Sequence, residues 1–381
     1  MLIDRVNVYE VRLPFLGEFS HATRKRTESK NIVVQVIGDQ GSIKGYGEGV
    51  PRIGVTGETQ QSAVQSIEHF VNRDGFPWNL NRASDIWDMV DGVSQNKKHH
   101  AALCALETAL LDCLGKKQGS SIIEYCPKDT LTNHVQYGAI LTLNSNERIV
   151  ESCDMIRNLG INTLKVKLGG DFEQNNFILD TVRNVFGDEC RITVDLTTGW
   201  DHVFALRHLS LFERHKVAIV EQPFAPGDQN IGDFARLVQE RGIVLMADES
   251  VCSLDDAEMN CRDGLFQMVN IRLSKCGGFR RSLRLVNYLR SRQIPFQIGC
   301  HMGESGILSA AGRILCLVCN DAEFCEGSYD ALLLRENLTR KDVSFGYGGR
   351  AEPLVGNGLG VEVSSDTLQR LSQSITSIFP K

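Results

Sequence analysis

The feature that most constrains the fold is a regular spacing of ionisable residues at the ends of apolar, strand-like segments. Lys167, Asp195, Glu221, Asp248 and Lys275 each lie near the C-terminal end of such a segment, and neighbours are 26 to 28 residues apart. One strand and the helix that crosses back to the next parallel strand take about 30 residues. The spacing therefore predicts consecutive parallel strands that carry these five residues at equivalent ends.

The same pattern of strand followed by helix predicts a closed barrel. Further strand-like segments at 135–141, 295–299 and 323–326 bring the number of expected strands to eight. Parallel strands that alternate with helices over about 200 residues are typical of a (β/α) barrel, whose active site lies at the C-terminal ends of the strands. We therefore predict an α/β fold built on a (β/α) barrel of modified TIM type.

The regions on either side of the barrel follow a different pattern. Three strand-like runs in the first fifty residues precede helical patterns at 59–71 and 101–114, which indicates an α+β unit. We expect this α+β domain at 1–132, the barrel at 133–337, and a C-terminal segment at 338–381 that is rich in glycine, then helical, and returns to the N-terminal domain.

Composition excludes several classes of partner. The net charge of −6 gives no electrostatic reason to expect nucleic acid. No apolar run approaches the roughly 20 residues that span a bilayer, so we expect no membrane association. Twelve cysteines occur without a disulfide-framework spacing and without an N-terminal signal pattern, which favours a reducing cytoplasm.

Three of the strand-end residues are carboxylates on consecutive strands. Asp195, Glu221 and Asp248 would repel one another unless a cation joined them. Hard oxygen ligands with room left for substrate suggest Mg²⁺, with Mn²⁺ as a substitute. A divalent metal ion of this kind stabilises the enediolate that forms when a proton leaves the carbon beside a carboxylate.

Lysines lie on both sides of this carboxylate row. Lys167 is one strand before it and Lys275 one strand after it, so a proton could leave one face of a substrate and return on the other. Lys165 shares a strand face with Lys167, and we expect each ammonium group to lower the pKa of its neighbour. Inversion at the α-carbon is the natural outcome of this arrangement, in which a Lys base works with Mg²⁺.

Several motifs along the chain resemble the enolase superfamily, in its muconate lactonizing enzyme and dipeptide epimerase subgroup. They are Gly45-Tyr-Gly-Glu48, 105–115, Lys165-Val-Lys167, Asp195, Glu221-Gln-Pro223, Asp248-Glu-Ser250 and Ser274-Lys275-Cys-Gly-Gly278. The resemblance implies that Lys167 and Lys275 are the acid/base pair and that Lys165 tunes Lys167 and touches the substrate carboxylate. It also implies that Asp195, Glu221 and Asp248 bind the metal ion. It implies a capping domain made from both chain ends, with a specificity loop near residues 16–26.

The chain departs from this subgroup at two places. Dipeptide epimerases carry Asp-x-Asp after the eighth strand to hold the substrate's ammonium group, whereas this chain has Gly327-Ser328-Tyr329 with a carboxylate on either side. The segment at 299–305 is longer than the subgroup's, and its histidine is either an acid near the substrate or a packed barrel-mouth residue. The candidate substrate contacts are His21, His301, Glu304, Glu326 and Asp330.

We therefore predict a Mg²⁺-dependent isomerase that abstracts the α-proton of a small carboxylate substrate. A racemase or epimerase of an amino acid derivative or dipeptide is favoured. A muconate-type cycloisomerase and an o-succinylbenzoate-synthase-type dehydratase remain alternatives, as does a non-catalytic scaffold that retains the fold. We expect a homo-oligomer.

Overall fold

The computed structural model describes the backbone of residues 1–21 and 24–380, and their side chains outside 18–25. The N-terminal part consists of β1 (Ile3–His21), β2 (Arg24–Gly38), β3 (Ile43–Gly49), α1 (Gln60–Val71), α2 (Ala83–Asp91) and α3 (His100–Gln118). Its strands pair antiparallel in chain order. The segment expected as a loop near 16–26 largely extends β1 and β2 into a hairpin, in which Phe19 pairs with Arg26.

Helix α3 packs directly on strand β3. Gly45, Gly47 and Gly49 occupy alternate positions of β3 and so share one face of the sheet. A Cβ atom at any of the three would overlap the backbone of α3. Every residue from 100 to 115 is buried, so α3 is the central helix of the N-terminal part.

The rest of the chain alternates strands with helices until about residue 318. In chain order the elements of this part are β4 (Val135–Gln136), β5 (Ala139–Leu141), α4 (Asn146–Asn158), β6 (Thr163–Lys167), α5 (Phe172–Phe186), β7 (Arg191–Asp195), α6 (His202–Arg207), α7 (Leu209–Arg214), β8 (Ile219–Glu221), α8 (Ile231–Gln239), β9 (Val244–Ala247), α9 (Leu254–Cys261), β10 (Met268–Ile271), α10 (Leu273–Cys276), α11 (Phe279–Ser291), β11 (Phe296–Ile298) and α12 (Gly306–Val318). The elements that follow are α13 (Asp330–Leu333), β12 (Arg350–Ala351), α14 (Ser365–Leu371) and β13 (Ser372–Ile378).

Strands β5 to β11 form one parallel sheet in chain order, which confirms the predicted α/β barrel architecture. The eighth predicted strand, 323–326, is instead a single bridging segment. Cys325 bridges both Tyr137 and Ile298. The backbone N–H of Gly138 donates to Cys325 at 2.9 Å, and that of Glu326 donates to Ile298 at 2.8 Å. This segment therefore connects the two ends of the curled sheet.

The C-terminal part of the chain joins two sheets. Strand β12 pairs with β4, and β13 pairs antiparallel with β1, which makes the N-terminal sheet four-stranded in the order β13-β1-β2-β3. The tail was expected to end as a helix, but α14 is followed by a strand that continues the N-terminal sheet. The domain boundaries at 132/133 and 337/338 stay predictions. Across the described residues, no helix combines the length and the apolar character that crossing a membrane requires.

Two buried carboxylates connect the N-terminal part to helices of the barrel. Glu107 of α3 accepts hydrogen bonds from the backbone N–H groups of Phe279 (2.5 Å) and Arg280 (2.9 Å), at the start of α11. Glu48 of β3 accepts from Ser305 and Leu308 at the start of α12. The first N–H groups of a helix have no partner within the helix. These carboxylates therefore cap barrel helices from the N-terminal part.

We predict that Glu107 contributes a decrease in the free energy of unfolding as the pH rises from about 5 to 8, and that Glu107→Gln removes this contribution from the slope. Burial raises the pKa of Glu107 from 4.5 to about 8. In this window the folded state retains a proton that the unfolded state has lost. The contribution of Glu107 therefore lowers the free energy of unfolding by up to about 1.4 kcal/mol per pH unit. Urea unfolding at four pH values measures the slope. Glu151→Gln, exposed on α4, should keep the wild-type slope, and an unchanged slope in Glu107→Gln would contradict the assignment.

Candidate active site

The predicted site residues meet at one end of the parallel sheet. Lys167 pairs in register with Asp195, and Asp195 pairs with Glu221. Asp248 directly follows β9, whose Met246 pairs with Glu221. Lys275 was expected at a strand end, but it lies on the one-turn helix α10 that follows β10.

A lysine contacts each of the three predicted metal-binding carboxylates. Lys167 Nζ lies 2.6 Å from Asp195 Oδ2, Lys165 Nζ lies 2.6 Å from Glu221 Oε2, and Lys275 Nζ lies 2.9 Å from Asp248 Oδ1. Lys165 also reaches Glu326 at 2.9 Å. These ion pairs place positive charge beside carboxylates that would otherwise repel one another.

Arg272 is a site residue that the sequence analysis missed. Its guanidinium contacts Asp248 and lies 3.8 Å from Glu249 Oε1. It follows Ile271, the last residue of β10, and so lies at the same end of the sheet as the other charged groups. Its place three residues before Lys275 was the available signal, but its carboxylate partners could not be assigned from one sequence.

Burial and charged neighbours shift the pKa values of the site residues in opposite directions. Burial alone would lower the pKa of Lys165, but Glu221, Glu326 and Asp195 outweigh it, and the net shift is upward. The expectation that a neighbouring ammonium lowers the pKa of Lys165 is therefore wrong, because carboxylates surround this group. Burial lowers the pKa of Lys275. For Asp195, burial raises the pKa, but Lys167, Lys165 and Thr197 together bring it below the usual range.

Gln222 connects the chain after β8 to the chain after β9. Its side-chain oxygen accepts hydrogen bonds from the backbone N–H groups of Asp248 and Ser250, both at 3.0 Å. Its amide nitrogen donates to Phe224 O and Ser250 Oγ, both at 2.8 Å. The backbone of Gln222 has a φ of 39°, a conformation that costs energy outside glycine. This buried amide therefore fixes the position of Asp248.

Asn270 links two other members of the site. Its side-chain nitrogen donates to Glu221 Oε1 at 2.6 Å, and its backbone carbonyl accepts from Lys275 Nζ at 2.6 Å. The Lys275 ammonium also donates to the carbonyl of Asp248 at 2.7 Å. Lys275 is thus held by three acceptors on two neighbouring strand ends, although it lies on a helix.

A cavity of about 440 Å³ lies at this end of the parallel sheet. Of the predicted site residues, those that line it are Lys165, Lys167, Asp195, His301 and Glu326. Glu221, Asp248 and Lys275 are almost fully buried and do not line it. Asp330 does not line it either, and its Oδ2 accepts hydrogen bonds from Asn337 and Val343. The side chain of His21 lies outside the described residues.

His301 and Glu304 differ in their relation to the cavity. His301 lines it, and its backbone N–H donates to Glu304 Oε1 at 2.6 Å. Burial, followed by Arg272, Arg52, Lys275 and Arg26, holds the pKa of His301 well below its usual value, so its imidazole is neutral. Glu304 is not among the residues that line the 440 Å³ cavity, and burial raises its pKa to about 8.

The donor set suits a hard divalent cation, although it is not assembled as a metal site. Within the described part of the chain, no group of three or more His, Cys, Asp or Glu side chains is placed to hold a metal ion. The buried atom Glu249 Oε2 has no hydrogen-bond partner there, whereas Glu221 Oε2 contacts Lys165. The carboxylates outnumber the cationic side chains that they contact by five to four. The five acids are Asp195, Glu221, Asp248, Glu249 and Glu326, and the four cations are Lys165, Lys167, Lys275 and Arg272. Negatively charged oxygen donors of this kind are those that Mg²⁺ prefers.

The chain is similar to several known racemases and epimerases. A hydrophobic dipeptide epimerase from Enterococcus faecalis is 24% identical over 98% of both chains. An N-succinyl-L-Arg/Lys racemase from Bacillus cereus is 26% identical over 98% of both chains. Its crystal structure superimposes with a TM-score of 0.86 over 99% of this chain and 100% of that one.

A third similar protein is a dipeptide epimerase from Cytophaga hutchinsonii whose crystal structure contains Mg and the dipeptide D-Ala-L-Val. It is 22% identical and has a TM-score of 0.83 over 99% of this chain and 100% of that one. At this identity the likeness shows a shared fold.

The fold and the curated relatives together identify an isomerase of the enolase superfamily. The family model described as "Enolase C-terminal domain-like" matches residues 148–367, which is more than half of the chain. The chain therefore belongs to this family. The predicted superfamily and the predicted class of enzyme are confirmed.

We predict that Gln222→Ala lowers the free energy of unfolding by about 3 kcal/mol, because it removes four buried hydrogen bonds and leaves their partners unsatisfied. Urea unfolding followed by circular dichroism measures the loss. The matched control is Gln61→Ala, exposed on α1, which should stay within about 0.5 kcal/mol of wild type. Equal losses in the two variants would contradict the assignment of Gln222 as the link between the strand ends.

Proposed function

We propose that the protein is a magnesium-dependent racemase or epimerase that removes and returns the α-proton of an amino acid derivative or dipeptide. The observation that carries this proposal is the row formed by Lys167, Asp195, Glu221, Asp248 and Lys275 at one end of the sheet. A lysine lies at each end of the row and the carboxylates lie between them.

The carboxylates of the row are the proposed metal ligands. Asp195, Glu221 and Asp248 would hold Mg²⁺, or Mn²⁺ in its place, and a bound ion would stabilise negative charge on the substrate's carboxylate. The relative from Cytophaga hutchinsonii was crystallised with Mg, which supports the choice of metal. Lys167, Lys165 and Lys275 would exchange these ion pairs for contacts with substrate.

The lysines would supply the acid, the base and the contact with the substrate's carboxylate. Lys167 and Lys275 act as the acid and base on the two faces of the α-carbon, and Lys165 binds the substrate's carboxylate. Burial lowers the pKa of Lys275, which increases the fraction in the neutral, basic form. Because a base lies on each side, the proton can return on the face opposite to the one it left.

The cavity narrows the choice of substrate. Glu326 could hold a substrate ammonium only by giving up Lys165, which it contacts at 2.9 Å. Asp330 is engaged by Asn337 and Val343 outside the cavity lining. Because Lys165 would turn to the substrate's carboxylate, Glu326 is the one of these two acids that could then hold a substrate ammonium. His301 and Glu326 remain the proposed substrate contacts.

We propose a cytoplasmic location for the protein. All twelve cysteines are free, which supports a reducing, cytoplasmic location. A small carboxylate is the proposed binding partner, and assembly into a homo-oligomer stays a prediction.

Incubation in D₂O with Mg²⁺ should introduce one deuterium at the α-carbon of the substrate. Mass spectrometry would follow uptake in separate pools of dipeptides, N-acyl amino acids and amino acid betaines, with EDTA as the control. We expect uptake in one pool and its loss with EDTA. Glu221→Ala should need more Mg²⁺ for half-maximal uptake, because it removes one of three anionic ligands. Absence of uptake in every Mg²⁺-containing pool would contradict the proposed function.

A further inference from the structure

Helix α3 of the N-terminal part reaches the segment that carries Lys275. His100, the first residue of α3, is fully buried, and its Nδ1 lies 2.6 Å from the backbone carbonyl oxygen of Lys275. The last carbonyl groups of a helix have no partner within that helix, and Lys275 belongs to the one-turn helix α10. His100 therefore gives the Lys275 carbonyl a hydrogen-bond partner from the other part of the chain.

The imidazole of His100 is a neutral donor in this contact. A carbonyl oxygen only accepts hydrogen bonds, so the proton of the ring must lie on Nδ1. Burial, and then the charge of Arg281, lowers the pKa of His100 to about 4. The ring is therefore uncharged at neutral pH, and its one N–H group is used on the backbone of Lys275.

Two further contacts from the N-terminal part hold the same segment. The backbone N–H of Val50, which directly follows β3, donates to Ser274 Oγ at 2.8 Å. Glu107 accepts hydrogen bonds from the first two backbone N–H groups of α11. The N-terminal part thus contacts this segment before Lys275, at its carbonyl and after it.

Two glycines after Lys275 allow α3 to come this close. Gly277 has a φ of 86° and Gly278 a φ of 97°, in the region that glycine adopts most readily. A Cβ atom at Gly278 would overlap the carboxylate of Glu107, and one at Gly277 would lie 3.3 Å from the ring of His100. The glycine pair therefore serves the contact between α3 and the Lys275 segment.

These backbone contacts matter because the side chain of Lys275 has to move. Its Nζ is held by Asp248 Oδ1 and by the carbonyls of Asp248 and Asn270. In the proposed function, Nζ leaves the Asp248 carboxylate to reach the α-carbon. The contacts to the backbone remain and fix the point from which the side chain extends. A misplacement of about 1 Å in a catalytic group can lower a rate about 100-fold.

Lys167 is held in a different way. It lies in β6, and the strands on either side of β6 are β5 and β7 of the barrel. Its Nζ contacts Asp195 and Thr197, which also belong to the barrel. The sheet therefore positions Lys167, whereas α3 contributes to the position of Lys275.

We propose that His100 is a positioning residue for Lys275, so that the N-terminal part sets the base on one face of the α-carbon and not the base on the other. This inference rests on the proposed function, in which Lys167 serves the opposite face. His100 is not among the residues that line the 440 Å³ cavity. It therefore acts through Lys275 and not by touching the substrate.

The test compares the two faces in the α-deuterium exchange assay with Mg²⁺. The probe is each pure α-enantiomer or α-epimer of the compound that exchanges fastest among the dipeptides, N-acyl amino acids and amino acid betaines. Proton NMR measures the loss of the α-proton from each form separately. Lys275→Ala identifies the form that Lys275 serves, because its exchange is the one that this variant reduces more.

His100→Leu removes the donor and should change the ratio of the two exchange rates. We expect kcat for exchange of the form served by Lys275 to fall about tenfold or more, with the other form and both KM values within about threefold of wild type. Inversion should fall by the same factor in both directions, because an enzyme cannot change the equilibrium constant between the two forms. A merely structural defect would lower both exchange rates together.

Three variants complete the design. His100→Asn has the shape of His100→Leu but keeps a nitrogen donor, and it should restore most of the wild-type ratio. His215→Leu removes another buried histidine, which follows α7 and lies 3.5 Å from Asp180. As the matched control it should keep the wild-type ratio. Ser274→Ala removes the acceptor of the Val50 N–H and should shift the ratio in the same direction as His100→Leu.

The outcomes separate the two proposals. Circular dichroism shows which variants fold, and Ser274→Ala decides the question if His100→Leu does not. An unchanged ratio, an equal loss for both forms, an equal shift in His215→Leu, or a His100→Asn variant as impaired as His100→Leu overturns the positioning role. The proposed function stands in each of these cases. Absence of exchange by the wild type with every pool removes the proposed function, and this inference falls with it.

Discussion

The ion pairs between buried lysines and carboxylates at the end of the parallel sheet are the interaction on which the site depends. A charge that leaves water costs several kcal/mol, and only a partner in good geometry offsets that cost. Lys165, Lys167 and Lys275 supply such partners at 2.6 to 2.9 Å. The parallel register of β6, β7 and β8 places these lysines and carboxylates next to one another. The same strand pairing therefore holds the sheet together and positions the charged groups of the site.

The two parts of the chain contribute different things to the cavity. The barrel supplies the lysines and carboxylates, whereas the N-terminal part supplies Arg26 and Arg52. Glu48 and Glu107 tie the two parts together by capping barrel helices α12 and α11. The glycine face of β3 allows α3 to pack closely enough for Glu107 to reach α11.

Much of the fold could be predicted because strand ends recur at a regular spacing, and Lys167, Asp195 and Glu221 lie at the predicted register positions. Spacing does not report side-chain partners, so Arg272 was missed and the shift of the Lys165 pKa was predicted in the wrong direction. Lys275 lies on a helix because β10 ends at Ile271. The role of Gln222 depends on contacts between two loops that are distant in sequence, which a single sequence does not reveal.

The central claim is that Lys167 and Lys275 serve opposite faces of the α-carbon. The most direct measurement is deuterium exchange by Lys167→Ala and Lys275→Ala with each pure enantiomer of the substrate found in the exchange assay. We expect both variants to lose inversion. Each should retain exchange, if at all, with only one enantiomer, and the two variants should differ in which one. Full inversion in either variant, or exchange of the same enantiomer by both, would contradict the assignment of one lysine to each face.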